Sequence, residues 1–520
     1  MGESATRLEA ATDGHVSPRT TSSAEYIVSE IKQHKSGFAL TLVVAAIALA
    51  AVLYFTGGSG AIDSLAILPF HNASGDPNTE YLSDGIAESI IFDLSKMPDL
   101  KVTPRSSVFR YKGRAVDPQT VARELGVRAV LLGSVSQRGN DLVVSAELVD
   151  AEEYRILWGR QFNRRSEDAL LVQQEISREV SEKLRPSITG DEKEVLTRRH
   201  TESSEAYQSY LKGQYWLNRR NEEGFQKAIE FFNLAMESDP GYALPYAGLA
   251  DCYALLGTYS LLAPDESYPK AKAAAMKALA INDHLAEAHT SLGNILTSYD
   301  WDFPGAEQAF KRAIKLSPNY PTAHHWYAEF LSVMGRHAEA IQEIKRAQEL
   351  DPLSLIINAV AGRTLYYARR YDEAIEQLKN TLQIDQRFGP AHAFQCAAYL
   401  EKGMNEQGIR AAREAVSLSP DTPVYLTILG HAYAVSGRRD EALAIAEQLK
   451  RLSDRTYVQP SYLALLYTGL GEKDQAFEWL EKAYQQRDDR LVFIVVDPQM
   501  DDIRSDPRFK DLLARIGLSH

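Results

Sequence analysis

The stretch AEQAFKRAIKLSP, Ala306 to Pro318, returns as AIQEIKRAQELDP, Ala340 to Pro352. The same register sets a small residue at Ala228, Ala271, Ala306, Ala340, Ala374, Gly408, Ala442 and Ala476, at intervals of 43, 35 and then 34 five times. Twelve residues ahead of that position stand Ala328, Gly362, Cys396, Gly430 and Ala464. Seven residues behind it stand Ala235, Ala278, Ala313, Ala347 and Ala415. Twelve behind it comes proline, at Pro240, Pro318, Pro352 and Pro420, with Gln386 and Asp454 in its place in units five and seven. Small residues let two antiparallel helices approach, because interaxial distance follows the side chains at the contact. Proline cannot continue a helix and sets the turn into the next unit. These spacings predict eight helix pairs over 200–488, with a nine-residue insertion near TYSLLAPDE in the second unit.

A 34-residue period is similar to that of tetratricopeptide repeats, so the fold expected here is an all-α solenoid. Pentatricopeptide repeats, with period 35, would imply RNA binding; the proline spacing and a net charge of −13 oppose them. Residues 489–520 lack the register and are expected to cap the last apolar face. Resemblance to the repeat family implies a concave face lined by each unit's first helix. One exposed inner position then follows the small packing residue, reading Asp251, Asn294, Glu329, Arg363, Ala397 and His431, with His325, Tyr366 and Tyr367 nearby. That row is the candidate peptide-binding groove.

Ahead of the repeats the pattern changes. SLAILPF is a short apolar run closed by the loop residues of HNASGDPN. Leu82, Ile86, Ile90 and Leu94 recur at helical spacing. RAVLLGSVSQRGNDLVVSAELVDAEEYRILWGRQF reads as three strands, the first two turning at Arg138-Gly139-Asn140-Asp141. ALLVQQEISREVSEKL follows as an amphipathic helix, with Leu171, Ile176, Val180 and Leu184 assigned to one face. Interleaved helices and strands predict a small α/β domain over 62–186. SLAILPFHNASGDPNTEYLSDGIAESI, RELGVRAVLLGSV and AELVD…ILWGRQFNR together resemble the TolB amino-terminal-like (FlgO-like) domain. The resemblance implies an envelope-facing, non-catalytic module between a membrane helix and repeats.

SGFALTLVVAAIALAAVLYFTGGSG, Ser36 to Gly60, carries no charge. Residues 37–56 are expected to form one transmembrane helix, since the 19 residues from Gly37 to Phe55 at 1.5 Å rise span about 28 Å of a roughly 30 Å hydrocarbon core. Arg7, Arg19, Lys32 and Lys35 precede it, and no Lys or Arg follows until Lys96. The positive-inside rule then makes 1–36 a cytoplasmic tail of the inner membrane and places the C-terminal domains in the periplasm. Ala46-x-x-x-Ala50 suits close packing of two such helices, hence a homodimer.

No G-x-S-x-G, H-E-x-x-H, Walker P-loop or EF-hand loop occurs, and the histidine spacings match no ligand pair. No enzyme activity, cofactor or metal is therefore expected, and the acidic balance argues against nucleic acid. The order of parts resembles the membrane and periplasmic half of bacterial receptor-type serine/threonine kinases, and also the outer half of membrane adenylate cyclases and winged-helix regulators. The 36 leading residues hold no Gly-rich loop, H-R-D or D-F-G. The expectation is a membrane-anchored interaction scaffold or sensor. The alternative is the sensory half of a kinase or cyclase whose catalytic domain is absent from this chain.

Overall fold

The computed structural model describes residues 62–97, 99–185 and 200–518. The apolar segment 37–56 and the tail before it lie outside the described residues. Among the described residues no helix is long and apolar enough to cross a membrane.

A small mixed sheet comes first. Strand β1 (Ser64–Ile67) runs parallel to β3 (Lys101–Val102) on one side and to β4 (Ala129–Arg138) on the other, and β2 (His71–Asn72) also pairs β4 in parallel. From β4 the sheet becomes antiparallel through β5 (Asp141–Asp150) to β6 (Arg155–Arg165). The β4–β5 hairpin closes at Gly139-Asn140, where Gly139 takes φ +59°, a conformation glycine enters without a Cβ penalty. Helix α1 (Glu80–Ser95) follows β2, and the short α2 (Arg105–Val108) and α3 (Pro118–Leu125) separate β3 from β4. Asp117 caps α3 by accepting from the Thr120 amide at 3.0 Å, and Gly126 ends it at φ +63°.

Helix α4 (Ala169–Leu184) buries Leu170, Val172, Ile176 and Val180. Leu171, assigned to that face from the sequence, is 40% exposed. The buried face runs through Val172, Ile176, Val180 and Leu184 at four-residue steps, and Leu171 stands one residue off that register.

Eight helix pairs follow. They are α5 (Ser204–Leu217) with α6 (Glu222–Ser238), α7 (Ala243–Thr258) with α8 (Pro264–Ile281), α9 (Ala286–Ile295) with α10 (Phe303–Leu316), and α11 (Pro321–Val333) with α12 (His337–Leu350). Then come α13 (Leu355–Tyr367) with α14 (Tyr371–Ile384), α15 (Gly389–Glu401) with α16 (Asn405–Leu418), α17 (Pro423–Val435) with α18 (Arg439–Leu452), and α19 (Pro460–Gly469) with α20 (Lys473–Gln485). The small residues sit in the seams. Ala306, Ala340, Ala374, Ala442 and Ala476 are fully buried. A Cβ on Gly362 would lie 2.5 Å from the Leu378 side chain. Cys396 occupies the same seam position in unit six; it and Cys252 are free, fully buried thiols whose ionisation burial pushes far up.

Two features of the early units meet the far end of the solenoid. The unit-two insertion forms the turn before α8, where the Ser260 hydroxyl donates to Gln459 at 2.7 Å and the Ser260 carbonyl accepts from Thr456 at 3.0 Å. In unit three, α9 runs into a π-turn over Leu296–Asp300 that ends at Trp301 with φ +61°. There the Trp301 ring stacks on Tyr484 at 5.4 Å and lies under the Arg487 guanidinium at 4.1 Å. Unit eight thus returns against units two and three.

The C-terminal segment does more than end the stack. Phe509, Leu512 and Ile516 of and after α21 (Pro507–Arg515) share a core with Phe477 and Leu480 of α20. That core also takes in Leu491, Val492 and Ile494, with Phe303, Phe310, Phe330 and Leu331 of units three and four. The segment runs inside the solenoid. At the other end Tyr207 and Leu211 of α5 join the core of the sheet domain, and a Cβ on Gly85 would meet Leu211 at 2.9 Å. A second bridge has Ser106 and Ser107 of α2 donating to the Asp351 carboxylate, in the turn before α13.

Candidate ligand chamber

The first helices of the units line a cavity of about 1230 Å³, walled on one side by α1 and α2 of the sheet domain. The 34-residue spacing stacks equivalent positions of successive first helices, so the residue after each small seam position recurs along the inner wall. Asp251, Asn294, Glu329 and Arg363 hold that position, and each lines the chamber.

Stacking makes them partners. Ser291 of α9 donates to Asp251 of α7, and Arg363 of α13 is ion-paired with Glu329 of α11. The Arg363 guanidinium also lies over Phe394 at 4.9 Å and Phe493 at 5.4 Å. Burial pulls its pKa down to about 10, which leaves it charged at neutral pH. Burial pushes the Asp251 carboxyl up to about 6 and raises Glu287. His325, 7% exposed, is pushed down to about 3 by burial and by the Arg363 charge, so its ring stays neutral. Its Nε2 is buried, without a hydrogen-bond partner among the described residues, and lies 3.6 Å from the Glu329 carboxylate.

Three candidate residues stand elsewhere. The Tyr366 hydroxyl donates to Asp497 at 2.8 Å, and the Tyr367 ring stacks on Phe493 at 6.0 Å. His431, 3% exposed, donates from Nδ1 to the Leu465 carbonyl at 3.1 Å, one unit further on. Read from the sequence as part of an exposed inner row, these residues, with Ala397 at 8%, are buried. Residues 491–500 fill that end of the groove.

Sequence reasoning missed the groups that the C-terminal segment and the sheet domain bring in. Tyr462 and Arg490 line the chamber floor, and Glu88, Arg105 and Ser106 line its wall. Asp488 accepts from the Ser461 amide at 2.8 Å and Asp489 from the Tyr268 hydroxyl at 3.2 Å; burial raises both carboxyls. The DD pair had no repeat counterpart to mark it. Among the described residues no three His, Cys, Asp or Glu converge as metal ligands.

Two family models match. Residues 302–361 match the tetratricopeptide repeat. The solenoid carries tetratricopeptide repeats. Residues 61–179 match the HilA/YgeH-like transcriptional regulator, second domain, a description different from the TolB-like one that the sequence resembles. Among curated relatives, "Putative adenylate cyclase 3" of Rhizobium meliloti is 38% identical over 187 residues, 36% of this chain and 32% of that protein. Transcriptional regulator HilA of Salmonella typhimurium is 26% identical over 318 residues, 60% of this chain and 55% of that protein. The chain therefore spans a third to about half the length of these relatives. The solved structure of yeast Tom70 is similar over 85% of this chain and 85% of that one, at 14% identity and a TM-score of 0.41.

Proposed function

We propose that the protein is a membrane-anchored, non-catalytic scaffold or sensor that holds a peptide segment of a partner protein in the chamber. The carrying observation is the size and lining of that cavity. At about 1230 Å³ it exceeds the roughly 300–1,000 Å³ of small-molecule sites, and the first helices of successive repeats line it. The charge-free segment 37–56, with positive residues ahead of it, supports an anchor that leaves the sheet domain and repeats outside the cytoplasm.

A photocrosslinking side chain at Phe388, inside the chamber, tests the binding role against one at Met276, which is 55% exposed and outside it. A polypeptide adduct in cells from Phe388 alone is expected. Adducts from neither position, or equally from both, overturn the reading. Alkaline phosphatase and fluorescent-protein fusions after Gly60 and after His520 test topology. Phosphatase activity at both sites is expected, and fluorescence at both overturns the outward orientation.

One observation favours a second reading. Parts of this chain recur in a protein named as an adenylate cyclase and in a transcriptional regulator, each longer than the shared part. In this reading the module is a sensory half that serves different outputs. An in-frame catalytic domain in the DNA upstream of Met1 would decide for it.

A further inference from the structure

We infer that the chamber takes an acidic peptide bearing apolar side chains, its charge met by arginines of the sheet domain. The inference rests on the peptide-binding role proposed above and specifies its ligand. Residues 100–116, LKVTPRSSVFRYKGRAV, hold five cations and no carboxylate in a chain of net charge −13. Two of the five are spent internally. Lys112 pairs with Glu80 at 2.7 Å and Asp84 at 2.6 Å, and Arg105 pairs with Glu88 at 2.9 Å. Arg110 and Arg114 are exposed, line the chamber, and have no ion pair among the described residues.

The Ser106–Asp351 bridge joins this segment to an apolar strip on the repeats. Ile356, 44% exposed, and Ile384, 39% exposed, line the chamber with Phe388, Val424 and Tyr425, across units five to seven. The strip is closely built: a Cβ on Gly389 would lie 2.6 Å from the Tyr425 hydroxyl. Free cations and exposed aliphatic side chains around one cavity suit a chain that alternates Asp or Glu with Leu, Ile or Phe. Asp251, Glu287 and Asp385 also line the cavity, so the acidic residues of the peptide belong beside Arg110 and Arg114, and a nucleic-acid backbone charged at every residue fits poorly.

The test pans a random dodecapeptide display library against the full-length chain in detergent micelles at low salt. Enriched peptides are expected to be net acidic with two or more large apolar residues. The best of them should bind about tenfold more weakly to the Arg110→Glu/Arg114→Glu variant, the effect of roughly 1.4 kcal/mol from two rim charges. Ile356→Ser/Ile384→Ser should weaken it as well. All four positions are exposed, and circular dichroism of each variant checks that it folds. Enriched peptides without acidic excess, or binding unchanged by the arginine substitutions, overturn this inference and leave peptide binding standing. No enrichment from the library rejects both.

Discussion

The seam between α13 and α14 and the floor that residues 488–500 lay inside the solenoid are equally buried, yet they are assembled by different rules. In the seam, Gly362 meets Leu378, sixteen residues on, and a small residue returns to the position of Gly362 every 34 residues from Ala328 to Ala464. On the floor, Tyr366 meets Asp497 across 131 residues of chain, and Tyr268 meets Asp489 across 221. Each floor contact occurs once. Repetition makes the seams tolerant, because a defect in one unit leaves its neighbours intact. The floor has no such reserve, since one segment ties units two to five to unit eight.

That contrast predicts an order of effects. Phe509→Ala should be the largest: the side chain is fully buried where the C-terminal segment meets units three and eight, and its loss should cost about 3–5 kcal/mol in urea unfolding. A loss below about 1 kcal/mol would make the segment a removable strap rather than a core. Gly362→Val should cost about 1–3 kcal/mol by overpacking against Leu378, with units seven and eight keeping their hydrogen-exchange protection. Protection lost throughout the chain would show that the seams are not independent.

The inner wall gives a pH signature. Asp251 has its folded pKa raised to about 6 from the usual 3.8, so the folded state holds that proton more tightly than the unfolded chain. Its burden is absent below about pH 3.8 and grows as pH rises through 6. Asp251→Asn should therefore gain about 1–3 kcal/mol over the native chain at pH 7.5 and nothing at pH 3.5. A gain that does not change with pH would mean that Asp251 is not shielded from water. The smallest effect is a cap. Asp302 accepts from the Gly305 amide at 3.0 Å at the start of α10, and Asp302→Ala should cost about 1 kcal/mol by thermal denaturation. A null result there would place the stability of unit three in its π-turn contacts.

Periodicity explains what could be read before the structure. Helix pairs, seam residues and the wall positions Asp251, Asn294, Glu329 and Arg363 follow from the repeat register, at intervals of 43, 35 and 34 residues, because that register stacks them. The Gly139-Asn140 hairpin was legible from turn chemistry. Tyr366 and Tyr367 hold equally regular positions, but what covers them is a segment with no counterpart in any repeat, while His431 is covered by the next unit at Leu465. Arg110 and Arg114 lie still further from the repeat pattern. Their place at the chamber depends on how α2 meets the turn at Asp351, a contact between residues about 245 apart.

The two cysteines give the molecule its own stopwatch. Cys252 is locked in unit two and Cys396 in unit six, both beyond the reach of a thiol reagent while the helices stay paired. The rate at which each is labelled under native conditions times the opening of its own unit. Equal rates would describe a solenoid clasped into one cooperative body by its C-terminal segment. Unequal rates would name the unit that lets go first.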